Sequence, residues 1–325
     1  MTYPRVLCLG EILFDCLADK PGVSLEEVES WTAYPGGAPA NVACALVKLG
    51  TAVGFIGAVG VDELGDSLVQ LLQQIGVDTT GVQRHPTAPT RQVYVLRNAA
   101  GDRSFAGFGK LDTADFADTR LQAAQIPEVL FQNAEFLAIG TLELAYPESR
   151  EAIARAIELA EQYDVKIIVD INWRPVFWPN SGAAKHRILE LLKKVDFVKL
   201  SEEEAEWLFA TSDAGAITYR LDSVEGVLVT AGDKGCSYCL SQNEGKIPAF
   251  TVDVEDTTGA GDGFTAGFVR QLCKQGIKNL ADPEIAKKIV TYASAVGAMI
   301  VMKPGAITAQ PTSAEVEAFL YLYKN

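Results

Sequence analysis

The sequence predicts an α/β fold in which a central, mainly parallel β-sheet is flanked by helices and accompanied by a small second β-sheet. Three observations predict it: short apolar runs alternate with amphipathic stretches, two aromatic-rich stretches interrupt that alternation, and 48% of the 325 residues are hydrophobic. That composition is enough for one large core, and no repeat or linker divides the chain. We therefore expect a single domain over residues 1–325.

The apolar runs are short and bounded by turn residues, which is typical of strands. In chain order they are VLCLG (6–10), VGFIGAVG (53–60), AEFLAIG (134–140), VKIIVDI (165–171), DFVKLS (196–201) and GVLVTAG (226–232). Segments 63–75, 147–162 and 183–194 lie between them and are predicted to be helices. Strands and helices in this alternation form βαβ units, whose strands run parallel.

Two stretches break the alternation. Residues 12–34 and 90–109 have the alternating, aromatic-rich pattern of strands and turns, and Gly101-Asp102 supplies a hairpin-type turn. We expect these stretches to form a small β-lid. The alternative is that they are extra edge strands of the main sheet.

Composition excludes several classes of function. The formal net charge of −14 disfavours nucleic acid as a partner, because its phosphates require clustered Lys and Arg. No apolar run approaches the roughly 18 residues that span a bilayer. The first residues include Glu11 and Asp15, unlike a secretory signal, so we expect a cytoplasmic protein with no membrane partner.

The six cysteines are expected to be free thiols, because they are scattered through apolar and strand-like sequence. Cys236 and Cys239 have CxxC spacing, but no second pair or nearby histidine completes a zinc site. On a strand these two side chains would point to opposite faces.

The segment DTTGAGDGF (256–264) opens a stretch with helical apolar spacing. The free N–H groups of Gly259, Ala260, Gly261 and Asp262 would point out of the helix start, where the helix dipole also favours an anion. We call residues 259–262 the anion cradle. The carboxylate of Asp262 could accept a proton from a substrate hydroxyl while the cradle stabilises a transferring phosphoryl group.

The alternative is an ordinary helix start with Asp262 as a first-turn helix stabiliser. Other phosphate motifs are absent: no GxxxxGK[ST] occurs, and the dinucleotide pattern GxGxxG fails both after Gly10 and at 259–264. A Ser-His-Asp hydrolase is also poorly supported, because neither His85 nor His186 has the sequence context of such a site.

DTTGAGDGF resembles the C-terminal signature of the ribokinase-like (PfkB) carbohydrate kinases, and GGAPANVACALVKLG (36–50) with GAVGVDELG (57–65) resembles their N-terminal signature. The resemblance extends through KPGAITAQPT (303–312). It implies a three-layer fold with a β-lid over the sugar, and phosphoryl transfer from ATP with Mg²⁺. Asp262 would be the base.

The resemblance also implies binding residues. Asp15, Gly36, Gly37 and Asn41 match the positions that contact the sugar. Thr230, Gly232 and Gly235 in VTAGDKG (229–235) match the ATP-binding turn, and Glu204 in SEEE (201–204) matches an acid that acts on Mg²⁺ through water. Arg174 in DINWRP (170–175) would reach phosphate oxygens. Asp256 and Thr258 match positions near a monovalent cation, which suggests K⁺.

The acceptor is the least determined part of this interpretation. FGKLDTAD (108–115) resembles the lid end of the fructokinases, with Gly109 and Lys110 where an arginine is usual. Fructose is the first expectation. Ribose, 2-keto-3-deoxygluconate or a nucleoside are alternatives, as is a catalytically silent scaffold. The chain would be a monomer or a homodimer that pairs through the lid.

Overall fold

The computed structural model describes residues 3–98 and 103–323, whose helices and strands alternate along the chain. The strands are β1 (Val6–Leu9), β2 (Leu13–Ala18), β3 (Trp31–Gly36), β4 (Val53–Gly60), β5 (Asp78–His85), β6 (Gln92–Arg97), β7 (Arg103–Gly107), β8 (Phe136–Ile139), β9 (Lys166–Asp170), β10 (Phe197–Ser201), β11 (Gly226–Thr230), β12 (Cys236–Leu240) and β13 (Asn243–Ile247). The α-helices are α1 (Ala38–Lys48), α2 (Glu63–Ile75), α3 (Pro147–Gln162), α4 (Ala184–Leu192), α5 (Glu202–Phe209), α6 (Ala214–Leu221), α7 (Ala260–Gln275), α8 (Pro283–Ile300) and α9 (Ser313–Leu322).

The large sheet has nine strands in the order β13-β12-β11-β10-β9-β8-β1-β4-β5. Its strands from β11 to β5 are all parallel, and β12 and β13 add an antiparallel edge. This confirms the mainly parallel sheet. Every predicted strand and helix of the alternating part of the sequence is present within a few residues of its predicted bounds.

Helices cover both faces of the large sheet. One buried cluster joins the sheet to α1, α2, α7 and α8, and the other joins it to α3, α4, α5 and α6. Along β1, Cys8 belongs to the first cluster and Leu7 and Leu9 belong to the second, as the two-residue period of a strand requires. The result is the expected three-layer α/β architecture.

The cysteines also follow the prediction. All six are free thiols, and five of them are buried. Cys236 and Cys239 belong to different buried clusters, so the two thiols of the CxxC spacing lie on opposite faces of the sheet. Among the helices of the described residues, none is long and apolar enough to cross a membrane.

A separate four-stranded sheet has the order β3-β2-β6-β7, and we call it the small sheet. The expected lid stretches 12–34 and 90–109 therefore form their own sheet and are not edge strands of the large one. The predicted turn at Gly101-Asp102 lies outside the described residues. Strand β2 follows β1 after three residues, and β3 leads directly into α1, so this sheet is attached beside the carboxyl end of β1.

Candidate active site

Two cavities meet at the start of α7. The Asp262 cavity has a volume of about 560 Å³ and lies between the small sheet and the carboxyl ends of the parallel strands, where α/β proteins bind ligands. The Thr230 cavity has a volume of about 580 Å³ and lies beside β11, β12 and α8. Both cavities are lined by Thr257 and Gly261, so ligands in the two cavities would meet at this point.

The start of α7 has free backbone donors. Gly259 is the N-cap residue with φ of 81°, and a Cβ on it would lie 2.8 Å from Cβ of Ala306, so glycine is required there. The N–H groups of Gly261 and Asp262 have no acceptor in the described part of the chain. Ala260 makes only a long bond of 3.4 Å to the carbonyl of Thr257. The cradle is therefore available to an anion.

Asp262 faces its cavity with a perturbed carboxyl group. Burial and the negative charge of Asp170 raise its pKa to about 6, against the opposing effects of Asn41, Lys199 and Arg174. Its Oδ2 accepts a 2.8 Å hydrogen bond from Nδ2 of Asn41. A carboxyl group with a pKa near neutrality can receive a proton from a hydroxyl group and release it again.

The predicted sugar-contacting residues come together around the same cavity. Asp15, Gly37 and Asn41 line it, and Gly36 lies behind Asp15, since a Cβ on Gly36 would be 2.7 Å from Oδ2 of Asp15. Gly37 has φ of 103°, and a Cβ there would lie 2.5 Å from the carbonyl oxygen of Glu11. Asp15 is carried by the small sheet, whereas Asn41 is on α1.

Asn41 has one unused polar atom. Its side chain is buried, and its Oδ1 has no hydrogen-bond partner in the described chain. Buried polar atoms are nearly always hydrogen-bonded in native structures. A ligand hydroxyl group in the Asp262 cavity would supply the missing donor.

Thr230, Gly232 and Gly235 all line the Thr230 cavity. Gly235 has φ of 94°, and a Cβ on it would come within 2.0 Å of the carbonyl oxygen of Ile247, so no side chain fits. The same cavity is also lined by Phe250, Val252 and Ala298. Polar turn residues together with apolar side chains suit a ligand with both phosphate and ring components.

Arg174 and Glu204 do not line the Thr230 cavity. Arg174 is exposed, lines the Asp262 cavity, and donates from Nη1 to the carbonyl of Trp173 at 3.0 Å. Glu204 is buried and lines neither cavity. Its two carboxylate oxygens accept the backbone N–H groups of Trp173 at 2.6 Å and Ser201 at 2.8 Å. Glu204 thus joins the end of β9 to the capped start of α5.

Asp256 organises the turn before α7. Its Oδ1 accepts from the N–H and Oγ1 of Thr258 at 3.0 and 2.7 Å, and its Oδ2 accepts from the N–H of Gly305 at 3.1 Å. Within residues 3–98 and 103–323, no group of three or more His, Cys, Asp and Glu residues could hold a metal ion.

Sequence reasoning missed four buried charged residues near the Asp262 cavity. Lys199 and Asp170 form a buried pair, with Nζ and Oδ1 separated by 3.0 Å. The signal was a lysine inside an otherwise apolar strand, FVKLS. Glu11 and Glu143 are the other two, and no short-range pattern relates them.

Glu11 and Glu143 are both buried, and the negative charge of Glu11 acts on Glu143. Oε1 of Glu11 accepts the N–H of Ala38 at 2.8 Å, but Oε2 of each glutamate has no partner in the described chain. Burial raises the pKa of Glu11 to about 7, and burial together with the charge of Glu11 raises the pKa of Glu143 well above its ordinary value. Each of the two carboxyl groups therefore favours its protonated form more than an exposed glutamate does.

Comparison with known proteins gives a consistent result. Residues 4–313 match the model of the pfkB family carbohydrate kinases. The probable fructokinase-5 of Arabidopsis thaliana is 34% identical over 320 residues, which cover 98% of this chain and 97% of that protein.

Solved structures agree with this. The crystal structure of a fructokinase with bound ATP from Xylella fastidiosa has a TM-score of 0.89 and 31% identity, and covers 98% of this chain and 99% of that one. A fructokinase double mutant from Vibrio cholerae, in a form with fructose, ADP and potassium ion bound, has a TM-score of 0.84 and 28% identity, with 98% of each chain covered.

Proposed function

This chain belongs to the pfkB family of carbohydrate kinases and is a sugar kinase, and we propose that it transfers the γ-phosphoryl group of MgATP to D-fructose, giving fructose 6-phosphate. The observation that carries the proposal is the meeting of two cavities at Gly261, next to a carboxyl group with a raised pKa. An acceptor in the Asp262 cavity and a nucleotide in the Thr230 cavity would bring the reacting groups together there.

The chemistry needs one base and one anion site. As the sugar oxygen forms its bond to the γ-phosphorus, its proton passes to Asp262, and the bond between that phosphorus and the bridging oxygen breaks to release ADP. The N–H groups of the anion cradle stabilise the charge on the transferring group. Mg²⁺ bound with the nucleotide would neutralise phosphate charge, and Glu204 would act on it only through water.

The remaining assignments belong to the same proposal. Asp15 and Asn41 would hold the sugar hydroxyls, while Gly36 and Gly37 let the ligand approach the backbone. Thr230, Gly232 and Gly235 would bind ATP, and Arg174 would approach the γ-phosphate from the sugar side. K⁺ would bind at the turn of Asp256 and Thr258 and hold the start of α7 in place.

We also propose that the small sheet is the lid of one kinase domain that spans the chain, and that it closes over the sugar to exclude water. The chain would be a monomer or a homodimer that pairs through this sheet, on which Tyr34 is exposed. The free thiols and the use of ATP favour a cytoplasmic location.

A panel of acceptors in a coupled assay of ADP release tests the proposal. Fructose should give the highest kcat/KM, with ribose, 2-keto-3-deoxygluconate and nucleosides well below it, because a site built for one set of hydroxyls strongly rejects others. A higher kcat/KM for another acceptor would show that fructose is not the preferred substrate, while kinase activity itself would be retained. If no acceptor in the panel supports release of ADP, the result would favour the catalytically silent scaffold.

A further inference from the structure

Lys199 is a buried cation on β10, with its side chain 9% exposed. Its ammonium donates to Oδ1 of Asp170 at 3.0 Å, and Oδ2 of Asp170 accepts from Oγ1 of Thr265 at 2.9 Å. Thr265 lies on α7, three residues after Asp262. A buried charge is unfavourable unless it is paired, so the ion pair with Asp170 holds the ammonium of Lys199 in place.

The ammonium of Lys199 lies beside Gly261 of the anion cradle. A Cβ placed on Gly261 would be 2.9 Å from Nζ, and Lys199 lines the Asp262 cavity. An ammonium group has three donors, and Asp170 is the acceptor that the described chain provides for it. Positive charge is thus directed to the place where the two cavities meet.

Electrostatics favour the charged form of this lysine. Burial alone would lower the pKa of Lys199, but the carboxylates of Asp170, Glu204 and Asp262 raise it above its ordinary value. Conversely, the ammonium of Lys199 opposes the rise that burial and Asp170 cause in the pKa of Asp262. The charges of Lys199 and Asp170 act on Asp262 in opposite directions.

We propose that Lys199 is a catalytic residue for phosphoryl transfer, whose ammonium is held beside Gly261 by Asp170. There it faces the carboxylate of Asp262 before transfer and the negative phosphoryl oxygens during transfer. This inference rests on the proposed function, because it takes Asp262 as the base and the cradle as the phosphoryl site.

The test compares Lys199→Met with Asp170→Asn. Each substitution removes one charge of the pair while Glu11 and Arg174, which also act on Asp262, stay unchanged. The readout is the acidic limb of the pH profile of kcat/KM for the sugar, which reports the essential base of the free enzyme. In the wild type we expect that limb near pH 6.

Lys199→Met should move the acidic limb up by about one pH unit, the usual size for loss of an adjacent opposite charge. Its plateau turnover should fall roughly 10-fold to 100-fold, because one electrostatic contribution to the transition state is lost. Asp170→Asn should move the limb down, since it removes an anion beside the base. Lys199→Arg is the control that keeps the charge, and its limb should stay closer to the wild type than that of Lys199→Met.

A merely structural pair would give lower melting temperatures and lower turnover in both variants, with no opposite movement of the two limbs, and that result would overturn the proposal. If Lys199→Met does not fold, Lys199→Gln replaces it: a limb moved up supports the proposal, and a limb unmoved or moved down overturns it. Failure of the proposed function is distinguishable, because then the wild type phosphorylates no sugar or Asp262→Asn keeps its turnover.

Discussion

Nδ2 of Asn41 donates a 2.8 Å hydrogen bond to Oδ2 of Asp262, which joins the first turn of α1 to the first turn of α7. The bond fixes the orientation of the carboxyl group and leaves Oδ1 of Asn41 without a partner in the described chain. A sugar hydroxyl group placed between these two side chains could donate to Asn41 or to Asp262. The proposed base, Asp262, and a side chain proposed to bind the sugar, Asn41, are therefore joined by a hydrogen bond.

Asp262→Asn should separate binding from chemistry. The amide keeps the shape and the anion cradle but cannot accept the proton, so turnover should fall by roughly two to four orders of magnitude while ATP and sugar still bind. Melting temperature, sugar affinity and turnover are measured on one preparation. Asp164→Asn is the control, because this acid is exposed in a remote turn between α3 and β9.

The alternative role of Asp262, as a stabiliser of the helix start, makes a different prediction. It expects a loss of about 1 kcal/mol or less in the free energy of unfolding, with nearly normal turnover in the folded protein. A well-folded Asp262→Asn variant with near-native turnover would rule out the proposed mechanism.

Asn41→Ala should affect the sugar and the base together. Loss of a hydrogen bond to the sugar should raise the KM for sugar by about 10-fold, while the KM for ATP changes little. The acidic limb of kcat/KM should also move up, because the hydrogen bond from Asn41 lowers the pKa of Asp262. An equal rise in both KM values would show that Asn41 supports the site as a whole and does not bind the sugar.

The free energy of unfolding should fall between pH 5 and pH 8 because of Glu11 and Glu143. The pKa of Glu11 rises from 4.5 to about 7 on folding, so the folded state binds more protons in this interval. The stabilisation is complete below pH 4.5 and is lost as the pH rises through about 7. Asp118 and Asp262 add to the negative charge around Glu11, and Arg91 acts on Glu143 with positive charge.

Glu143→Gln tests this pH dependence. The neutral amide removes the repulsion, so the variant should gain about 1–3 kcal/mol relative to the wild type at pH 8, and less at pH 5. Chemical denaturation at both pH values measures the difference. An equal change at the two pH values would show that the acids do not titrate in this interval.

Hydrogen exchange tests the proposed lid. Saturating fructose should slow amide exchange in β2, β3, β6 and β7, because closure of the small sheet over the sugar reduces its opening. Strands β8 and β9 in the centre of the large sheet are the internal control and should not change. Unchanged protection throughout the small sheet would show that it is a fixed part of the domain.

Local signals made much of the fold predictable. Helix α2 runs over Glu63–Ile75 as predicted, because Asp62 caps its first turn and Gly76 ends it in the left-handed conformation with φ of 103°. The free backbone donors at the start of α7 were predictable for the same reason, because the glycines and Asp262 are adjacent in sequence.

The contacts within the site were not predictable by periodicity. Asn41 and Asp262 are 221 residues apart, and Asp170 and Lys199 meet only because β9 and β10 are neighbours in the sheet. The sequence around Lys199 shows only the apolar neighbours of the strand, so it predicts the strand but not the buried ion pair with Asp170. The carboxylate of Glu204 accepts backbone N–H groups from the loop after β9 and from Ser201 at its own helix start, which the acidic run in the sequence does not reveal.

The division of the sugar site between the small sheet and the helices has a consequence for substrate analogues. Asp15 belongs to the small sheet, while Asn41 and Asp262 begin helices packed on the large one. In the proposed mechanism the sugar thus forms hydrogen bonds with both of these parts of the protein. An analogue without the hydroxyl group that meets Asp15 would occupy the helix side without drawing the lid shut. With the lid open, water could take the place of the sugar hydroxyl group, and ATP would be hydrolysed without formation of sugar phosphate. Measurements of affinity alone would not detect this hydrolysis.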